Sequence, residues 1–228
     1  MNAELSDTLI KLMAAWLLLF GAALWARREG LKLSKRMLIA SLRGLVQLLI
    51  LAFVLHWVFD IQSRIAQGLL VLGFCVLAGH TSAGHHADTQ NAWLAASTGL
   101  ICACLATLPW LAVSGAINAD TRTLIPLGSM VAANGMNAIS IMFERQSGDG
   151  VAGNNMRTAM IPTIDTLRVA GLVHMPGIFV GMTLAGSPPL AAASAQLVVL
   201  YMIVASSFTA CMVSFLMMNH LNKSKICA

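Results

Sequence analysis

Long apolar runs alternate with short polar breaks along the whole chain. The runs cover residues 8–26, 37–59, 65–79, 92–113, 123–143, 158–184 and 190–218. A helix that crosses the hydrocarbon core needs about 20 mainly apolar residues. The pattern therefore predicts an all-α integral membrane protein with about seven transmembrane helices in one polytopic domain spanning 1–228. The third run is short, and proline and glycine interrupt the sixth, so a broken sixth helix is expected. No internal repeat or water-soluble domain is visible.

Charge adds an orientation. Arg27, Arg28, Lys32, Lys35 and Arg36 follow the first run, the densest basic cluster in the sequence. Basic loops favour the cytoplasmic side, which puts the N-terminus outside. Seven spans then bring the C-terminus to the cytoplasm, where Lys223 and Lys225 agree, as do Arg145 and Arg157 between the fifth and sixth runs. The loops assigned outside hold Arg64 and Arg122, each with an acidic neighbour, Asp60 or Asp120. Glu4 and Asp7 precede the first basic residue, Lys11. A signal peptide wants a basic start, so the first run is expected to be retained as a span.

Composition strengthens the membrane reading. The chain is 58% hydrophobic and 10% charged, with mean hydropathy +0.79. Soluble domains carry about 25% charged residues. The net charge of +5 sits beside the apolar runs and calls for no nucleic acid. No GxxxxGK[ST] loop, HExxH motif or catalytic triad is present, so no enzymatic activity is read and no cofactor is expected on this chain. Four of the five cysteines lie in apolar runs and read as small buried hydrophobes. The fourteen methionines read as filler of the same runs.

The polar residues inside the runs carry the chemistry, because such groups are costly at membrane depth and mark interiors or pathways. Pro126, Met130, Asn134, Asn137, Ser140 and Glu144 recur at helical spacing on one face. The two asparagines either bond between helices or offer amide oxygens to a solute. Asp165 and Arg168 stand at i, i+3, where they either neutralise each other or form a gate. His174 lies near the expected break. Met130, Asn134, Asn137, Ser140, Asp165, Arg168 and His174 form the candidate transport pathway. Pro162, Gly171, Pro176 and Gly177 are the candidate hinge. In the loop GHTSAGHHADTQ, His80, His85, His86 and Asp88 are candidate metal ligands, at a spacing that fits no standard zinc signature. The alternative is a plain polar loop. Arg43 and Gln47, one turn apart, sit close to the cytoplasmic end of the second run.

The segments IPLGSMVAANGMNAIS (125–140), IPTIDTLRVAGLVHMPGIFVGMTLAGSPPLAAASAQLVVLYMI (161–203) and RGLVQLLILAFVLHWVF (43–59) resemble the FetB-type ABC-transporter permeases. That family comprises bacterial iron exporters and plant aluminium-sensitivity and aluminium-tolerance relatives. The matching positions are Arg43, Gln47, Pro126, Gly128, Asn134, Asn137, Pro162, Thr163, Asp165, Gly171, Leu172, Pro176, Gly177, Gly181 and Gly186. The resemblance implies a permease subunit in the inner (plasma) membrane, working as a homodimer with a separate ATP-binding ATPase and exporting iron or a related metal. A nucleotide-sugar or other organic solute is the alternative cargo. Family members carry a longer cytoplasmic segment between the fifth and sixth spans, suited to docking the ATPase. Here 146–155 reads QSGDGVAGNN, a glycine-rich connector expected to be non-helical. That departure raises a third alternative, a non-coupled membrane scaffold. His174 and the histidine loop also depart from the family pattern.

Overall fold

Every regular element among the described residues is an α-helix. The computed structural model describes residues 2–31, 33–60, 63–118, 120–146 and 152–226, without the side chains of 2–6, 8, 9, 152, 153 and 222–226. The elements are α1 (Asn2–Arg28), α2 (Ser34–Phe59), α3 (Arg64–Ala83), α4 (Thr89–Val113), α5 (Thr121–Gln146), α6 (Ala152–Val169), α7 (Gly177–Leu184) and α8 (Pro189–Ile226). Helices are what an apolar solvent requires, since each backbone N–H finds its acceptor within its own segment. Pro109, Pro126 and Pro162 lie inside α4, α5 and α6.

The chain falls into two compact units, Met1–Asp60 and Ile61–Ala228. In the first, α1 and α2 pack on each other, and Ala23 is buried. The basic cluster brackets their connection, with Arg27 and Arg28 ending α1 and Lys35 and Arg36 in the first turn of α2. Arg43 and Gln47 are exposed on α2.

In the second unit, α8 packs most extensively on α4, and α3, α4, α5 and α8 share the core. That core holds Leu100, Val131, Ile139, Met142, Phe143 and Met218 among many alanines. Small residues let the helices close up. A Cβ on Gly99 would collide with Ser214 Oγ and lie 2.5 Å from the Ala210 carbonyl oxygen of α8. A Cβ on Gly79 would run into Ser97 of α4. Close approach of this kind holds helices together in lipid, where burial of apolar surface supplies little drive.

Among the described residues, six helices are long and apolar enough to cross a membrane. The sixth run divides into α6 and α7, neither of which is among those six. The third run is longer than expected, continuing to Ala83. His80 is therefore helical, a correction to its place in the loop. The cause is tertiary: Ser82 and Ala83 are fully buried, and Ser82 Oγ donates to the Met136 carbonyl of α5 at 3.1 Å. The connector also needs correcting. Gln146 ends α5, and Ala152–Asn155 already belong to α6, where Asn155 is buried. Only 147–151 lie between, outside the described residues.

Candidate transport site

The face expected on α5 divides into three. Asn134 turns back on its own helix, its Nδ2 donating to the Met130 carbonyl at 2.8 Å. Ser140 faces α3, where its hydroxyl meets that of Ser82 at 3.3 Å. Asn137 is exposed, and no hydrogen bond engages it among the described residues. Ala133, Asn137 and Glu144 are all exposed and fall at i, i+4 and i+11, one strip along α5. Pro126 and Met130 are half-buried.

Asp165 and Arg168 pair along α6, with Arg168 Nη1 3.4 Å from Asp165 Oδ1. Both side chains remain more than half exposed, so the pair is presented outward. Pro162 is also exposed and lies inside α6, which continues past it to Val169. The ring only removes one donor from the helical ladder, and Thr166 Oγ1 donates back to the Pro162 carbonyl at 2.8 Å.

The break falls at Ala170–Pro176. The Val169 carbonyl accepts from the N–H groups of Leu172, Val173 and His174, at 3.0 to 3.2 Å. Gly171 takes φ +84°, a conformation that side chains rarely adopt, and donates to the His174 carbonyl at 2.9 Å. These bonds make the break a defined turn. Pro176 is buried and extended at the N-cap of α7, and Gly177 opens that helix. The His174 side chain is exposed, and Leu172, Val173 and Met175 are at least three-quarters exposed.

A residue outside the expected set holds this turn. Gln196 of α8 is 8% exposed, and its Oε1 accepts the N–H of Phe179 at 3.4 Å. It also lines a cavity of about 320 Å³ with Ala170, Met175, Pro176, Phe179 and Leu200. A solitary glutamine in the apolar seventh run was the available signal.

The histidine loop does not gather into a ligand set. His80 is exposed on α3. His85 Nδ1 lies 2.9 Å from Glu144 Oε2 at the end of α5. His86 Nδ1 accepts the Asp88 N–H at 3.0 Å, and its ring meets Phe143 edge-on. Asp88 caps α4 through Asn91. Among the described residues, no group of three or more His, Cys, Asp or Glu is placed to hold a metal ion.

The family described as UPF0014, an uncharacterised protein family, matches residues 9–149 and 144–221. The chain is 26% identical to the probable iron export permease protein FetB of Escherichia coli, over 86% of this chain and 85% of that one. It is 27% identical to the UPF0014 membrane protein YjkA of Bacillus subtilis, over 78% and 81%. The UPF0014 membrane protein STAR2 of Oryza sativa is 23% identical, over 87% and 78%. The alignment to the Escherichia coli protein runs for 219 residues but takes in only 86% of these 228, so that relative carries residues this chain lacks. The two family matches meet at 144–149, where α5 gives way to α6. No solved structure matches the chain.

Proposed function

The chain belongs to the UPF0014 family of multi-pass membrane proteins, and on that premise we propose that it is the membrane-spanning permease subunit of an ATP-driven exporter of iron or a related metal ion. The observation that carries this reading is the bare amide of Asn137, exposed within four residues of the midpoint of a 26-residue apolar helix. An amide facing hydrocarbon without a partner costs several kcal/mol. A water-lined path, or a second copy bordering one, removes that cost. The Asp165–Arg168 pair and the broken α6–α7 segment supply further polar groups of the kind that line transport routes.

In this reading the substrate moves past Asn137 and along the outward faces of α5 and α6, and the α6–α7 turn flexes. ATP is bound and hydrolysed on a separate partner subunit, two copies of this chain form the pathway, and the inner membrane is their place. The similarity to a probable iron export permease supports the cargo. The test is co-expression with the ATP-binding subunit in iron-loaded cells, with cellular iron measured over time. Lower iron with the native chain and no change with Asn137→Leu is expected. Equal efflux from the native chain, Asn137→Leu and Asp165→Ala sinks the pathway.

The short α5–α6 connection favours a second reading, a membrane scaffold without ATP coupling. Only 147–151 separate the two helices, and the Escherichia coli relative carries residues this chain lacks. Purification with the ATP-binding subunit separates the readings: a stable complex supports the permease, and repeated failure to recover one supports the scaffold.

A further inference from the structure

Two thiols that lie 29 residues apart in the sequence meet inside the second unit. Cys75 Sγ of α3 and Cys104 Sγ of α4 are 3.5 Å apart, and the residues are 0% and 4% exposed. Both cysteines are free. A disulfide needs its sulfurs about 2.05 Å apart, so closure requires an approach of about 1.5 Å.

Cys104 has a second neighbour. It lines a cavity of about 590 Å³ whose walls include Val71, Leu72, Ile101 and Leu105. Leu105 and the rim residues Gly68 and Pro109 are exposed, so the cavity opens on the outer surface of the helices. In a bilayer that surface meets acyl chains. Apart from Arg64 and Gln67 the lining is apolar, so a flat apolar oxidant is stabilised there more than a small polar one.

We propose that Cys75 and Cys104 form an oxidisable dithiol, closed to a disulfide by a lipid-soluble quinone that reaches Cys104 through this cavity. The two S–H bonds break and one S–S bond forms. Both thiol protons and two electrons pass to the quinone oxygens, which leave as a quinol. The disulfide is neutral, so it stays compatible with its buried surroundings, and it fastens α3 to α4. The other described cysteines act as internal controls, since Cys102 is exposed and Cys211 is buried on α8. The inference stands apart from the transport reading and needs no ATP-binding partner.

The experiment uses the full chain in phosphatidylcholine vesicles, with or without a decyl-substituted benzoquinone in the bilayer. The protein is acid-quenched, denatured, alkylated and digested without reductant for mass spectrometry. The Cys75 and Cys104 peptides are expected to appear joined, two hydrogens lighter than their sum, and to separate with dithiothreitol. The joined form melts at a higher temperature, and Cys102→Ser and Cys211→Ser retain the cross-link. Alkylation of both Cys75 and Cys104 after quinone treatment overturns the proposal, without recourse to any variant. So does equal cross-linking by ferricyanide in vesicles lacking quinone, because the apolar route would then be unnecessary.

Discussion

Gln196 accepts the Phe179 N–H at 3.4 Å, so α8 caps the first turn of α7. Pro176 offers no side chain for this, and the early N–H groups of a helix have no partner within it. A neutral hydrogen bond of this kind contributes about 1 kcal/mol. Gln196→Leu keeps much of the volume and removes the acceptor. Amide hydrogen exchange at Phe179 should quicken about fivefold, with α4 unchanged. Unaltered exchange at Phe179 would show that the cap is not needed.

Gly99 sets the distance between α4 and α8. A methyl group there meets backbone as well as the Ser214 hydroxyl, so no side-chain rotation alone relieves it. Gly99→Ala should cost about 1–3 kcal/mol, the usual range for overpacking. Gly68, with open space around its Cβ position, is the control. If Gly99→Ala and Gly68→Ala lower the melting temperature equally, the close contact is not limiting.

The Asp165–Arg168 pair makes a prediction about coupling. At membrane depth a lone charge is costly, so removing one partner should cost more than removing both. Asp165→Ala should therefore reduce the yield of folded protein more than Asp165→Ala with Arg168→Ala. Fluorescence-detected size-exclusion chromatography reads this directly. Additive losses would mean that the two charges act independently.

The His85–Glu144 contact is exposed, and such pairs are worth about 0–1 kcal/mol. His85→Ala should move the melting temperature little. Ser82→Ala should move it more, since Ser82 is fully buried between α3 and α5 and its loss strands the Ser140 hydroxyl. The reverse order would assign the loop, not the helix contact, the larger part in fixing α3 on α5.

Apolar run length was enough to locate the six long apolar helices; each runs past its apolar run at one end or both, and at α3 tertiary packing carries it there. Ser82 shows why. Nothing in GHTSAG marks a helix, but a buried hydroxyl bonded to Met136 carries α3 past the expected end. The break was legible because Gly171 and Pro176 leave a helix little alternative, whereas Pro162 reads the same way in sequence and sits inside α6. Helical spacing puts Asn134, Asn137 and Ser140 on one face of α5. It could not say that a back-bond, a partner on α3 and an exposed face would divide them. The Cys75–Cys104 contact has no local signature at all, since it depends on the register of two packed helices.

The length of α8 has a geometric consequence. Its apolar portion, Pro189–Leu221, is 33 residues, a rise of about 50 Å. The hydrocarbon layer is about 30 Å thick, and spanning helices tilt by at most about 40°. At that tilt about 26 residues fill the layer, which leaves roughly two turns of apolar helix standing in the headgroup zone or beyond it. Leu190 near the start of α8 and Leu216 near its end, both exposed, are the side chains that bear this mismatch. Wherever the excess emerges, the bilayer must thicken around it or another surface must cover it.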